Sequence, residues 1–243
     1  MSERLALRKL EGAADNGPAM SPRKLAPAVR RDRAPTAFWL VWSLALVAFV
    51  VLASFAAAFD YFPGDRGLAG WIQDLDARAW REALDWASRL SELPGVLIVG
   101  LAGAAILWLL TYRSEAVWLV VALPLAELSG VAKLAVDRPR PSPELVDVRE
   151  VATGPSFPSG HTVTTVLLYG FLFYAVGQAL SDRRLRYPVQ ALCVVIAVLT
   201  GLQRVEAGVH WPSDVLGGAL FAGLILALLI WSHRRFRARR PAE

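Results

Sequence analysis

Two of the three histidines, His161 and His210, stand in polar segments dense in cations and prolines. His161 closes the run Pro158-Ser159-Gly160-His161, and an apolar stretch begins directly after it. His210 lies in Arg204-Val-Glu206-Ala-Gly-Val-His210-Trp-Pro-Ser-Asp214, four residues ahead of a carboxylate. A third segment, Lys133-Leu-Ala-Val-Asp137-Arg138-Pro139-Arg140-Pro141, adds further cations. These residue types suit phosphate. Phosphoryl transfer spreads negative charge over the equatorial oxygens, so cations and oriented N–H donors supply much of the catalysis. Arginine forks match phosphate oxygens two at a time, and lysine adds a compact point charge.

Local backbone logic points the same way. Ser159 is an N-cap candidate for a helix starting at Gly160, where the missing side chain lets a ligand approach the backbone. The free N–H groups of that first turn form an anion site, with His161 aimed at it. His210 and Asp214, four apart, share one face of a helix or turn. A carboxylate that accepts one imidazole N–H leaves the other nitrogen free to attack. Pro212 between them argues against a regular helix through the whole stretch. Asp214 has a competing use as a helix cap, open to it only if its side chain is not committed to His210.

What positions these segments is a set of membrane spans. The chain has 243 residues, 55% of them hydrophobic, and a mean hydropathy of +0.42. That is too apolar for an ordinary soluble domain. A span needs about 20 apolar residues. Six candidates meet or approach that length: 38–59, 94–112, 116–132, 162–180, 187–203 and 215–231. The fold class expected is an all-α, six-transmembrane-helix bundle. Residues 1–36 read as a disordered basic tail, 37–233 as the membrane domain and 234–243 as a second basic tail. The first span is longer than a signal-peptide core and follows a long tail, so it is expected to be retained.

Basic residues fix the orientation. Arg30, Arg31 and Arg33 precede the first span, Arg183, Arg184 and Arg186 follow the fourth, and Arg234, Arg235 and Arg237 follow the sixth. All three groups fall on one side, so both termini are expected in the cytoplasm of a bacterial inner membrane. The net charge of +5 then reflects orientation and no nucleic-acid partner. Lys133, Arg138, Arg140 and Arg204 sit on the opposite side, against that bias.

In the first outside loop, Ile72, Leu75, Ala79, Ala83, Trp86, Leu90 and Leu93 recur at helical steps, predicting one amphipathic interfacial helix over 68–93. Its plain role is a membrane-surface helix; a sharper one is a wall of a lipid-access groove. Other polar residues have modest readings. Arg138 is expected at the surface or on a lipid phosphate, and His233 at the cytoplasmic interface. Glu127, the one acid within a span, is expected to pair with a cation such as Lys133. Gly100, Gly103, Gly217 and Gly218 read as close-packing residues between helices. Cys193 is expected to be inert.

Taken in order, the three polar segments resemble the type-2 phosphatidic acid phosphatase superfamily. Its pattern of Lys-x6-Arg-Pro, Pro-Ser-Gly-His and Ser-Arg-x5-His-x3-Asp appears as Lys133-x6-Arg140-Pro141, Pro158-Ser159-Gly160-His161 and Arg204-x5-His210-x3-Asp214. Gln203 replaces the family serine. The resemblance implies that Lys133, Arg140 and Arg204 bind phosphate, with Ser159 and the Gly160 N–H cradling it. It implies that His210 attacks phosphorus, that His161 protonates the leaving group and that Asp214 orients His210. It implies no metal or other cofactor, and a lipid phosphate or pyrophosphate as substrate on the outer face. A phosphotransferase using the same intermediate is the alternative. An anion transporter fits less well, because it would need more charge within the spans.

Overall fold

The computed structural model describes residues 36–75 and 77–239. The tail read at residues 1–36 therefore lies, apart from Thr36, outside the described residues, as do residues 240–243. The described chain is all helical and contains no strand. Nine helices follow in order: α1 (Thr36–Ala58), α2 (Asp65–Gln73), α3 (Arg78–Arg89), α4 (Leu93–Leu109), α5 (Arg113–Leu125), α6 (Leu128–Val136), α7 (Gly160–Ala179), α8 (Arg183–Glu206) and α9 (Pro212–Arg239).

Side-chain exposure identifies the solvent of this bundle. Leu109 is 81% exposed and Ile98 67%, and α1 buries only Phe49 and Ala56. An apolar surface so continuous is unsuited to water and matched to lipid. Five helical stretches are long and apolar enough to cross a membrane. They are α1, α7, α8, α9 and the stretch Arg113–Val136 formed by α5 and α6. A sixth appears if α3 and α4, bent 68° at their break, are counted as one.

The centre of the bundle is α7, which packs on α5, α8 and α9. Its Phe171, Ala175, Leu167 and Val163 are almost fully buried. Small residues let the neighbours in. A methyl group on Gly103 would stand 3.2 Å from Leu119, and one on Gly100 3.0 Å from Leu123, so α4 and α5 meet as the close-packing reading expected.

Three readings differ in detail from the structure. The span read at 116–132 is two helices, because Pro124 in the last turn of α5 has no N–H to continue the ladder. The segment 68–93 is likewise two helices, broken between Gln73 and Arg78. Of the apolar face expected there, Ile72 is buried, but Trp86 and Leu93 are 65% and 71% exposed. The face of α3 that meets protein carries Leu84, Ala87 and Ser88 instead. Finally, α9 continues through Arg234, Arg235 and Arg237 to Arg239, so the helix extends past residue 233 into the stretch read as a tail.

Candidate active site

The three polar segments converge at one end of the bundle. The loop between α6 and α7 begins where Asp137 takes a left-handed conformation (φ 50°), ending α6. It is tied back at several points. Ser156 N–H donates to Arg138 O (2.8 Å) and Ser159 N–H to Asp214 O (3.0 Å). Gln73 on α2 donates its amide to Asp147 O (2.6 Å) and Glu206 O (3.0 Å). The turn after α8 passes beneath this loop at Gly208 (φ 71°), where any side chain would collide with the Asp147 backbone.

His210 follows that turn and precedes α9, which starts with Pro212 at its first position, where the missing N–H costs nothing. The imidazole is 3% exposed. Its Nδ1 lies 3.2 Å from Ser156 Oγ, and its Nε2 lies 3.3 Å from Arg140 Nη1. The Ser156 hydroxyl donates its proton to Asp214 Oδ2 (2.5 Å), so it can only accept from Nδ1–H. The guanidinium can only donate, so Nε2 carries the lone pair. Two contacts therefore assign one tautomer, with the Nε2 lone pair facing Arg140. Burial above all lowers the pKa of His210 to about 4, against the opposing pull of Asp214, so the ring is neutral at ordinary pH.

Asp214 Oδ2 stands 3.5 Å from His210 Nδ1, beyond a good hydrogen bond, and Ser156 bridges the two. The carboxylate also accepts from Trp211 N–H (2.8 Å), the reach-back half of a capping box. Capping and contact with the histidine pair are thus compatible, contrary to the either–or expectation. Its Oδ1 receives Arg138 Nη1 at 2.6 Å. Arg138 corrects its surface assignment: its side chain is completely buried, paired also with Asp65 (3.2 Å) and bonded to Ser213 Oγ (2.8 Å). Asp65 in turn accepts from Ser213 N–H and Oγ–H at 2.9 and 2.6 Å.

A cavity of about 420 Å³ opens beside Nε2, lined by Lys133, Arg140, Gly160, His161 and His210 among others. Lys133 Nζ donates to Pro155 O (2.6 Å), not to Glu127, which has no ion pair among the described residues. Arg140 donates to Gly154 O (3.0 Å), Val209 O (2.7 Å) and Thr153 O (3.2 Å). Three residues expected at the site do not line this cavity: Ser159, Arg204 and Asp214. Ser159 occupies the N-cap position of α7, yet its hydroxyl caps nothing and accepts from Thr162 Oγ1 (3.1 Å). Arg204 is held by Gln203 Oε1 (2.5 Å), Ser88 Oγ (2.6 Å) and the Glu150 carboxylate (3.3 Å). Gln203 also bonds Glu150 (2.8 Å), so the amide that replaces the family serine steadies the arginine.

At the opposite end of α9, His233 is fully buried, bonded to Ser114 Oγ and Tyr174 Oη at 3.0 Å each. It is a packed core histidine and not an interface residue.

Sequence reasoning missed Ser156, Arg138 and Asp65. Ser156 sits two residues ahead of the Pro158 motif, and Arg138 was already anomalous for its side of the membrane; both were weak signals. Asp65 gave none, being one acid in an acidic loop.

Together, the lipid-facing bundle and the buried histidine beside a cation-lined cavity describe a multi-pass membrane protein with a candidate anion site. The family model for the PAP2 superfamily matches residues 115–238, and the chain belongs to that superfamily. Among curated proteins it is 40% identical over 76 residues to phosphatidylglycerophosphatase B of Bacillus subtilis, 31% of this chain and 37% of that one. It is 35% identical over 82 residues to the putative undecaprenyl-diphosphatase YbjG of Escherichia coli, 33% and 37% of the two chains. Each match thus spans little more than a third of the relative. Among solved structures, the transmembrane PAP2-type phosphatidylglycerolphosphate phosphatase of Bacillus subtilis superposes with a TM-score of 0.70 at 21% identity. It covers 82% of this chain and 98% of its own. Aquifex aeolicus LpxE gives 0.53 at 22% identity, over 72% and 98%. These likenesses are of fold.

Proposed function

We propose that this protein hydrolyses a lipid phosphate or pyrophosphate through a phosphohistidine formed on His210. The observation that carries the reading is the free Nε2 of a neutral, buried His210, set against Arg140 at the wall of a cavity shared with Lys133 and His161. Lys133 and Arg140 bind the phosphate oxygens, the Gly160 N–H adds a donor, and Arg204 supports them from behind the wall. The Ser159 hydroxyl, turned to Thr162, serves the start of α7 more than the ligand. Nε2 attacks phosphorus while His161 gives its proton to the departing oxygen. Ser156 and Asp214 keep the proton on Nδ1 and stabilise the positive ring that results. Water, deprotonated by His161, then releases inorganic phosphate. No step requires a metal.

The substrate belongs with those in the relatives' names, phosphatidylglycerophosphate or undecaprenyl pyrophosphate, or is phosphatidic acid. The geometry at Nε2 serves equally a phosphotransferase that passes the phosphoryl group to an alcohol instead of water. We read six spans, α4 supplying the second, with α3 bent 68° from it and lying at the membrane surface with Trp86 toward lipid. The basic residues of α9 and the α7–α8 turn lie at the end away from the cavity, which supports cytoplasmic termini and an outward-facing site.

The test is phosphate release in detergent from these lipids, with and without EDTA. His210→Ala should lose at least about 10³-fold and His161→Ala about 10² to 10⁴-fold in kcat. Turnover by His210→Ala at the wild-type rate would defeat the mechanism, and abolition by EDTA would defeat metal independence.

A further inference from the structure

The cavity wall contains two carboxylates that the mechanism leaves unused. Glu92 occupies the N-cap position of α4 without a side-chain bond to it, and Glu127 stands at the break between α5 and α6. Both are exposed, and neither side chain makes a hydrogen bond or ion pair among the described residues. Other acids near the site are committed: Asp214 to Arg138, Glu150 to Arg204 and Glu206 to Arg149. The cation-lined cavity thus carries two carboxylates with no bonded cation, Glu92 sensing only the charge of Arg204 behind the wall. The two cations of the same cavity, Lys133 and Arg140, are instead braced by the loop carbonyls of Pro155 and Gly154. When a terminal phosphate sits against His210, the group it leaves occupies the rest of the cavity, whose wall these carboxylates share.

We propose that Glu92 and Glu127 select against an anionic leaving group, making this a site for lipid phosphomonoesters in preference to lipid pyrophosphates. The inference rests on the phosphatase reading above. In either reaction a bond forms from His210 Nε2 to the terminal phosphorus, and the bond from that phosphorus to the bridging oxygen breaks. From a monoester, the bridging oxygen takes the His161 proton and departs as a neutral alcohol, whose hydroxyls a carboxylate can accept. From a pyrophosphate, it departs as a phosphomonoester, keeping its negative charge beside two others. Water then cleaves the phosphohistidine in the same way, giving inorganic phosphate and returning a proton to His161. Only the departure differs.

Phosphatidic acid and diacylglycerol pyrophosphate isolate this difference, since they share one lipid and differ in the leaving group. Their kcat/KM values are to be measured in detergent at low salt for the wild type, Glu92→Gln, Glu127→Gln, the double variant and His210→Ala. The wild type should favour phosphatidic acid. That preference should fall about tenfold in each single variant, the scale of one like-charge contact in a partly screened site, and further in the double. Added salt should narrow the preference of the wild type, because both carboxylates are exposed. An unchanged ratio in the double variant, or a wild type that favours the pyrophosphate, overturns the proposal and leaves the phosphatase reading standing. A wild type as inactive as His210→Ala on both lipids overturns the two together.

Discussion

At Asp214, four contacts meet on two oxygens: Arg138, Ser156, Trp211 N–H and, at longer range, His210. A carboxylate so held cannot swing, and the imidazole that leans on it through Ser156 keeps one tautomer. Ser156→Ala should therefore lower kcat about ten- to a hundredfold, the worth of one charge-assisted hydrogen bond, with little change in KM. Activity within twofold of wild type would remove Ser156 from the relay. The pH dependence follows from the same burial. On the proposed mechanism His210 must be neutral to attack, and burial lowers its pKa to about 4. The acid limb of kcat/KM should accordingly fall near pH 4 and not near 6.5; a limb at 6.5 would mean a solvated ring. The residues proposed to react were legible in the sequence, because residue type and spacing carry them. It could not make Ser156, Arg138 or Asp65 legible, because their roles exist only once a loop, α2 and the start of α9 come together.

Among the elements, α9 sets how closely the two histidines approach. A side chain on Gly217 would enter the ring of Phe157, and a methyl on Gly218 would stand 2.8 Å from Ser159 O. Both residues gauge the distance between the Pro-Ser-Gly-His turn and the His210 turn. Gly218→Ala should keep the fold but cost at least about tenfold in kcat, since small misplacements of reacting groups are expensive. Gly223→Ala, on the same helix with nothing within 4 Å, should leave kcat unchanged and serves as its control. If both variants behave alike, the gauge is not real. Close packing at these glycines was expected from their placement alone. The protein-facing side of α3 was not, because an apolar pattern beside a membrane fits lipid as readily as protein. Trp86 follows the pattern and faces outward, while Ser88, a polar residue outside it, turns inward to hold Arg204.

For the molecule as a whole, apolar runs gave the spans and their order, since a bilayer demands length and little else. They could not reveal that one span is broken at Pro124 or that α9 outruns its apolar segment, which depend on backbone bonding and interhelical contacts. Sidedness is testable through Val151, which is 97% exposed in the loop between α6 and α7. The native Cys193 is buried, so background labelling should be low. Val151→Cys should react with a membrane-impermeant maleimide in intact cells. Reaction only after lysis would reverse the orientation.

Part of the cavity's donor set is already engaged. Lys133 commits one of its three N–H donors to Pro155 O, and Arg140 donates to the carbonyls of Thr153, Gly154 and Val209. On the proposed mechanism an arriving phosphate trades for these bonds, offering a full charge in place of a carbonyl dipole. The same trade runs backward when the reaction ends, with those carbonyls as competitors. Free inorganic phosphate, with no lipid chain to hold it, then has the least advantage over them.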